Sequence, residues 1–145
     1  MLIDAHSHWL PADIISNAHF FHKGWGDIEG QLKIMDTAGI NRAVLSYPTT
    51  DAHLKLGSIS TVAHLYNDKV GQILKTYPQR FIGAAVLPVD NSIDMGEELK
   101  RATDELGFKA ISLASSYNGI YLDDKMFLPI YKEAQEKNIP IFVHS

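Results

Sequence analysis

The amino-acid sequence predicts an α/β fold, a parallel (β/α)8 barrel of TIM type of which about five of the eight βα units are present. Three observations predict it. Five short apolar runs open at Leu2, Arg42, Phe81, Lys109 and Pro140. Segments of helical period separate them. The runs are apolar almost throughout, as in Phe81-Ile82-Gly83-Ala84-Ala85-Val86-Leu87, the pattern of strands in a parallel sheet whose two faces are both covered.

The elements follow in order. Strands are expected over residues 2–5, 42–47, 81–87, 109–113 and 140–143. Between them, Ile28, Leu32, Met35 and Ala38 form one helical stripe, and Ile59, Val62, Ala63, Tyr66, Val70, Ile73, Leu74 and Tyr77 a longer one. Leu99, Ala102 and Leu106 form a third, and Phe127, Ile130, Tyr131 and Ala134 a fourth. Asp27, Ser92 and Asp124 stand where N-caps belong, while Gly39, Gly107 and Asn138 stand where a helix must end in a left-handed residue. Residues 19–26 and 49–57 read as long loops. The last strand reaches His144-Ser145 with no helix to cover it, which favours an incomplete barrel over an open five-stranded sheet.

Composition narrows the function. A length of 145 residues matches one domain or part of one, and 46% hydrophobic against 21% charged residues is an ordinary globular balance. The 13 Lys and Arg against 17 Asp and Glu give a net charge of −4 without runs, so no nucleic-acid or anionic-membrane footprint exists. No apolar stretch or leader of the required length is visible, and a cytoplasmic protein is expected. Zero cysteines exclude disulfides, thiolate metal sites and a Cys nucleophile, leaving histidine and carboxylate as metal ligands.

His6 and His8 stand two apart at the end of the first strand, where a period-two backbone points both imidazoles to one face with Cα atoms about 6.6 Å apart. Nitrogens from both can then reach one ion at about 2.1 Å. His144 ends the fifth strand, at the carboxyl edge where α/β folds place ligands. In an eight-stranded barrel the first and fifth strands face each other across the axis, so these three histidines meet at the mouth. Three imidazoles leave positions open on zinc, which draws the pKa of bound water toward about 7.

Other candidates are less specific. Trp9 and Tyr47, at strand ends, are candidate pocket walls or core residues. Arg42 and Arg80 sit at strand starts and Arg101 in a helix, so Lys55 is the cation best placed to meet a carboxylate, although it reads more readily as an ordinary solvated lysine. Asn118, with Ser115 and Tyr117, lies in the loop after the fourth strand, although Asn118-Gly119 also reads as a turn. His19, His22 and His53 are expected to be solvated loop residues and His64 a surface helix residue. Asp4 either faces outward or supports an imidazole. A non-enzymatic five-stranded α/β binding module would explain the length but not His-x-His, and no Gly-rich phosphate loop follows the first strand.

The ordered phrases Ile3-Asp4-Ala5-His6-Ser7-His8-Trp9-Leu10-Pro11, Asn41-Arg42-Ala43-Val44-Leu45-Ser46, Tyr77-Pro78-Gln79-Arg80-Phe81-Ile82-Gly83, Leu106-Gly107-Phe108-Lys109-Ala110-Ile111 and Tyr121-Leu122-Asp123-Asp124, with Phe142-Val143-His144, resemble the amidohydrolase superfamily. The resemblance is to its branch of aminocarboxymuconate semialdehyde decarboxylase and related aromatic-acid decarboxylases. It implies His6, His8 and His144 as ligands of one divalent ion, expected to be Zn2+, and a carboxy-lyase acting on a small carboxylated aromatic or enoic substrate. A metal-dependent hydrolase of an amide, ester or lactone is the alternative. The family also supplies a sixth-strand histidine as acid/base and an eighth-strand aspartate as ligand. Neither lies before Ser145, so residues 1–145 are expected to form the N-terminal portion of one barrel domain, inactive alone and either aggregated or held in a homo-oligomer that covers its open edges.

Overall fold

In the computed structural model, which describes residues 1–17, 22–48, 56–90 and 92–144, each apolar run of the sequence is a strand of one sheet. The main strands are β1 (Ile3–His8), β2 (Arg42–Ser46), β3 (Phe81–Val86), β4 (Ala110–Ala114) and, after a short hairpin β5 (Ser116–Tyr117) and β6 (Ile120–Tyr121), β7 (Ile141–His144). They pair in parallel in the order β1-β2-β3-β4-β7, the order of the chain. An open doubly wound sheet would begin from an inner strand and is excluded. Helices α1 (Ala12–Ile15), α2 (Ile28–Ala38), α3 (Ile59–Thr76), α4 (Ser92–Lys100) and α5 (Leu128–Lys137) connect them, and none of the described helices is long and apolar enough to cross a membrane.

Local chemistry sets the boundaries. The Asp27 carboxylate accepts from Gly30 N–H at 2.9 Å and opens α2, which closes on Gly39 at φ 68°. Ser58 caps α3 through Thr61 N–H, and Asp124 caps the turn leading to α5, which ends on Asn138 at φ 53°. The side chain of Ser92, expected as a cap, lies outside what is described.

Register assigns every strand residue to a face. Ala43, Leu45, Phe81, Gly83, Ala85, Ile111 and Leu113 share one face by their pairing and belong to the main core against the helices. Each large side chain fully buried there stabilises the fold by about 1.5–3 kcal/mol. Packing is tight enough that β3 needs a glycine at its centre: a Cβ on Gly83 would lie 2.7 Å from the Phe108 ring. On the opposite face Val44, Ala84 and Ala110 form a second, smaller cluster with Ile82 and Phe142.

A buried polar network ties the helices to the end of β3. The Asn67 amide of α3 donates to Val86 O at 2.8 Å and accepts from Val86 N–H at 3.0 Å, as a neighbouring strand would. The same amide donates to Glu98, whose side chain is 1% exposed. Arg101 grips both Glu98 oxygens at 2.8 Å and also meets Asp68. His64 completes the set at 2.9 Å from Glu98. The surface position expected for His64 is correct, but its partner was not foreseen. Breaking a buried pair from one side leaves an uncompensated charge, at a cost of several kcal/mol. Arg101→Met is expected to destabilise the protein by roughly 3 kcal/mol, measured as a lowered urea midpoint at unchanged slope.

Candidate metal centre

The site begins with an irregularity in β1. Asp4 pairs with Ala43, yet Ser7 pairs with Leu45 and His8 with Ser46, so three steps along β1 match two along β2. Without that extra residue His6 would lie opposite Leu45 and point into the helix-facing core. The bulge moves both histidines to the other face. Asp4 makes the bulge tenable, because its Oδ1 accepts from the His6 N–H at 3.0 Å. Below it, the Ser7 hydroxyl donates to Val44 O at 2.8 Å and accepts from the Gln31 amide of α2 at 3.0 Å.

His144 reaches the same face from the far edge. It pairs with Ala114, two residues beyond the Ser112–Phe142 pair, and Phe142 belongs to the smaller cluster with Val44 and Ala84. In a flat sheet β1 and β7 would be separated by three strands. Here the ring centroids of His6 and His144 are 5.2 Å apart, those of His8 and His144 5.4 Å and those of His6 and His8 4.8 Å. The sheet is therefore curled, and its two edge strands meet across the bore at their carboxyl ends.

The chemistry of the donor set fits a divalent ion. His8 Nδ1 lies 3.0 Å from Ser46 O, and a carbonyl only accepts, so Nδ1 carries the proton and Nε2 keeps its lone pair. That Nε2 is 3.2 Å from Nε2 of His6. Ligands at about 2.1 Å from one ion are separated by about 3.0 Å at a right angle and about 3.4 Å in a tetrahedron. One ligand atom from each of the three histidines lies within 4.8 Å of the others. Among the described residues this is the group of His, Asp and Glu side chains with that property.

Burial, above all, lowers the His8 pKa, with the neighbouring His6 and His144 acting in the same direction and the Ser46 bond and Asp4 opposing it. A neutral imidazole is the form that binds metal.

The remaining candidates divide among core, groove and turn. Tyr47 continues the parity of Ala43 and Leu45, so it enters the helix-facing core, buried and edge-on to Tyr66 of α3 at 5.3 Å. Trp9 follows an inward His8 and turns outward, donating to Gly26 O and lining a groove with Lys69, Gln72 and Thr76 of α3. Asn118 is exposed at the hairpin tip, where it and Gly119 have φ of 50° and 82°, the turn that joins two-residue hairpins. Lys55, His19 and His53 lie outside the described residues. His22 has a local task, its Nδ1 accepting from Gly24 N–H. The aromatic at the centre is instead Trp25, whose ring lies 5.2 Å from that of His8. Its only sequence signal was a tryptophan between two glycines in the first long loop.

The sequence model described as Amidohydrolase matches residues 3–145. A 2-amino-3-carboxymuconate-6-semialdehyde decarboxylase of Dictyostelium discoideum is 35% identical over 83 residues, covering 57% of this chain and 23% of its own. A gamma-resorcylate decarboxylase of Rhizobium sp. is 29% identical over 122 residues, covering 79% and 37%. Among solved structures, the dihydroxybenzoic acid decarboxylase of Polaromonas sp. JS666, with bound manganese and 2-nitroresorcinol, superposes with a TM-score of 0.74 at 22% identity over 99% of this chain and 48% of that one. The chain thus spans less than half the length of each.

Two outcomes are expected of the metal-free protein. Asp4→Ala removes the acceptor of the His6 N–H, costing about 1 kcal/mol in denaturant unfolding and weakening zinc binding in a calorimetric titration. In NMR titration His8 should show a midpoint below 6.5. The unfolded chain then takes up this proton at higher pH than the folded one, so stability falls on acidification below that value and is regained as pH rises.

Proposed function

We propose a function from the premise that the chain belongs to the amidohydrolase family: it is the N-terminal, metal-holding part of a divalent-metal-dependent carboxy-lyase. The convergence of His6, His8 and His144 from opposite edges of one curled sheet carries the proposal. The names of the two decarboxylase relatives and of the decarboxylase structure support lyase chemistry. A small carboxylated aromatic or enoic acid is the substrate class, and zinc or manganese the ion.

A bound divalent ion polarises substrate oxygens and offsets their negative charge. The chain's own residues prepare that position. Asp4 and the bulge aim His6 and His8 inward, Ser46 fixes the His8 tautomer, and the β4–β7 pairing carries His144 to the same mouth. Decarboxylation breaks a carbon–carboxylate bond and forms a carbon–hydrogen bond, so a proton must reach the carbon that carbon dioxide leaves. The resemblance assigns that proton to a sixth-strand histidine. Tyr47, directed to the core, and Trp9, directed to α3, are not part of this arrangement.

The test is metal content by elemental analysis, with carbon dioxide release measured across a panel of aromatic and enoic acids in the full-length polypeptide. Replacing any one of His6, His8 or His144 with Ala is expected to lower metal affinity beyond the roughly 10–100-fold associated with losing an outer-shell partner, and to abolish release. Full metal content in His8→Ala, or water addition to an enoic acid without carbon dioxide release, would contradict the proposal.

A further inference from the structure

Trp25 is held against the metal centre by a seat of several parts. It lies in a short 3-10 turn, Lys23–Gly26, whose Trp25 N–H donates to His22 O at 3.0 Å. The turn is tied back to the segment after β1 by two bonds to consecutive carbonyls. Leu10 N–H donates to Trp25 O at 3.0 Å, and the Trp9 indole donates to Gly26 O at 3.2 Å. No larger residue fits easily beside it. A Cβ on Gly24 would be 2.9 Å from His22 Nδ1, and one on Gly26 would be 3.0 Å from Ile15. The two hydrogen bonds to the turn, with these side chains against its glycines, fix where the indole projects.

What it projects onto is His8, with ring centroids 5.2 Å apart and planes tilted by 52°. The His8 ring has two other restraints, its Nδ1 bond to Ser46 O and its proximity to His6 and His144. The hydrogen bond leaves the imidazole able to swing about the line through Nδ1. A bulky ring tilted against it limits that swing and keeps Nε2 directed at the cluster. Trp25 is half-buried, so part of its surface is open to solvent while its ring lies 5.2 Å from that of His8. A planar, unsaturated acid entering there meets an aromatic surface, and offset stacking contributes about 0.5–1.5 kcal/mol beyond area burial.

We infer that Trp25 is a positioning residue for His8 and the aromatic wall of the substrate site, an assignment that rests on the metal-dependent reading above. The probes are Co2+ and 2-nitroresorcinol, used on the full-length protein. Trp25→Ala is expected to weaken Co2+ binding by roughly 10-fold, the size of effect of removing a residue that orients a ligand, and to shift the visible Co2+ bands. Trp25→Leu, which keeps apolar volume for folding but has no ring, should shift the bands in the same way. Trp25→Phe should restore affinity to within about two-fold of wild type. With Co2+ bound, 2-nitroresorcinol should quench, saturably, the part of the wild-type emission that Trp25→Phe lacks, and the emission that Trp25→Phe retains much less. Wild-type Co2+ affinity and bands in both Trp25→Ala and Trp25→Leu would overturn the positioning role while leaving the metal reading intact. Equal fractional quenching of wild type and Trp25→Phe, or no quenching of wild type, would overturn the wall. Wild-type protein whose Co2+ bands are absent, or persist unchanged in His8→Ala, would overturn the metal reading itself and this inference with it.

Discussion

A single bulge in the first strand governs whether the histidines of this protein can meet. Strand geometry alternates faces with a period of two, so inserting one residue between Asp4 and Ser7 exchanges the two faces for everything downstream. His6 and His8 gain the bore, and Ser7 takes the core-side position, where it is tied to Val44 and Gln31 instead of packing as a hydrophobe. A bulge leaves a backbone N–H without its ladder partner, a group that is costly when left unsatisfied. Asp4 supplies the acceptor. One carboxylate thus stabilises the backbone irregularity and sits within the field of the imidazoles it turns inward.

The second requirement is curvature. A pair of histidines on one strand can share an ion, but a third ligand from β7 requires the sheet to bring its edges together. Small side chains on the concave face, Ala84 and Ala110 at its middle, leave room for that bend, while the larger Phe81, Ile111 and Leu113 fill the convex side against the helices. The distribution of side-chain size between the faces and the meeting of the three imidazoles therefore have the same origin. Both are properties of a barrel wall and would be absent from a flat sheet.

Much of this was legible in the sequence. Apolar runs alternating with 3.6-period stripes identified all five strands in order, and the capping residues Asp27, Asp124, Gly39 and Asn138 marked helix ends correctly because their roles are local. The histidine trio was legible because each member sits at a strand end. What escaped was anything set by faces. Tyr47 and Trp9 were candidates by position along the chain, and parity with Leu45 and with His8 would have argued both away from the bore. Trp25 and the Asn67–Glu98–Arg101 network depend on packing between elements far apart in sequence, for which no periodicity exists. The bulge itself has no compositional mark beyond an aspartate two residues before a histidine.

The clasp between Asn67 and Val86 bears on how such a protein can change over evolutionary time. Beyond the last β2–β3 pair, Leu45 with Gly83, β3 extends to Val86, where a helix side chain takes the place of a neighbouring strand. The tip of β3 is therefore anchored independently of whatever follows β2. Lengthening, shortening or rewriting the connection from β2 to α3 need not unseat β3. β2 itself ends at Ser46, whose carbonyl holds His8, so a change made directly after that strand acts next to the histidines while the framework absorbs it.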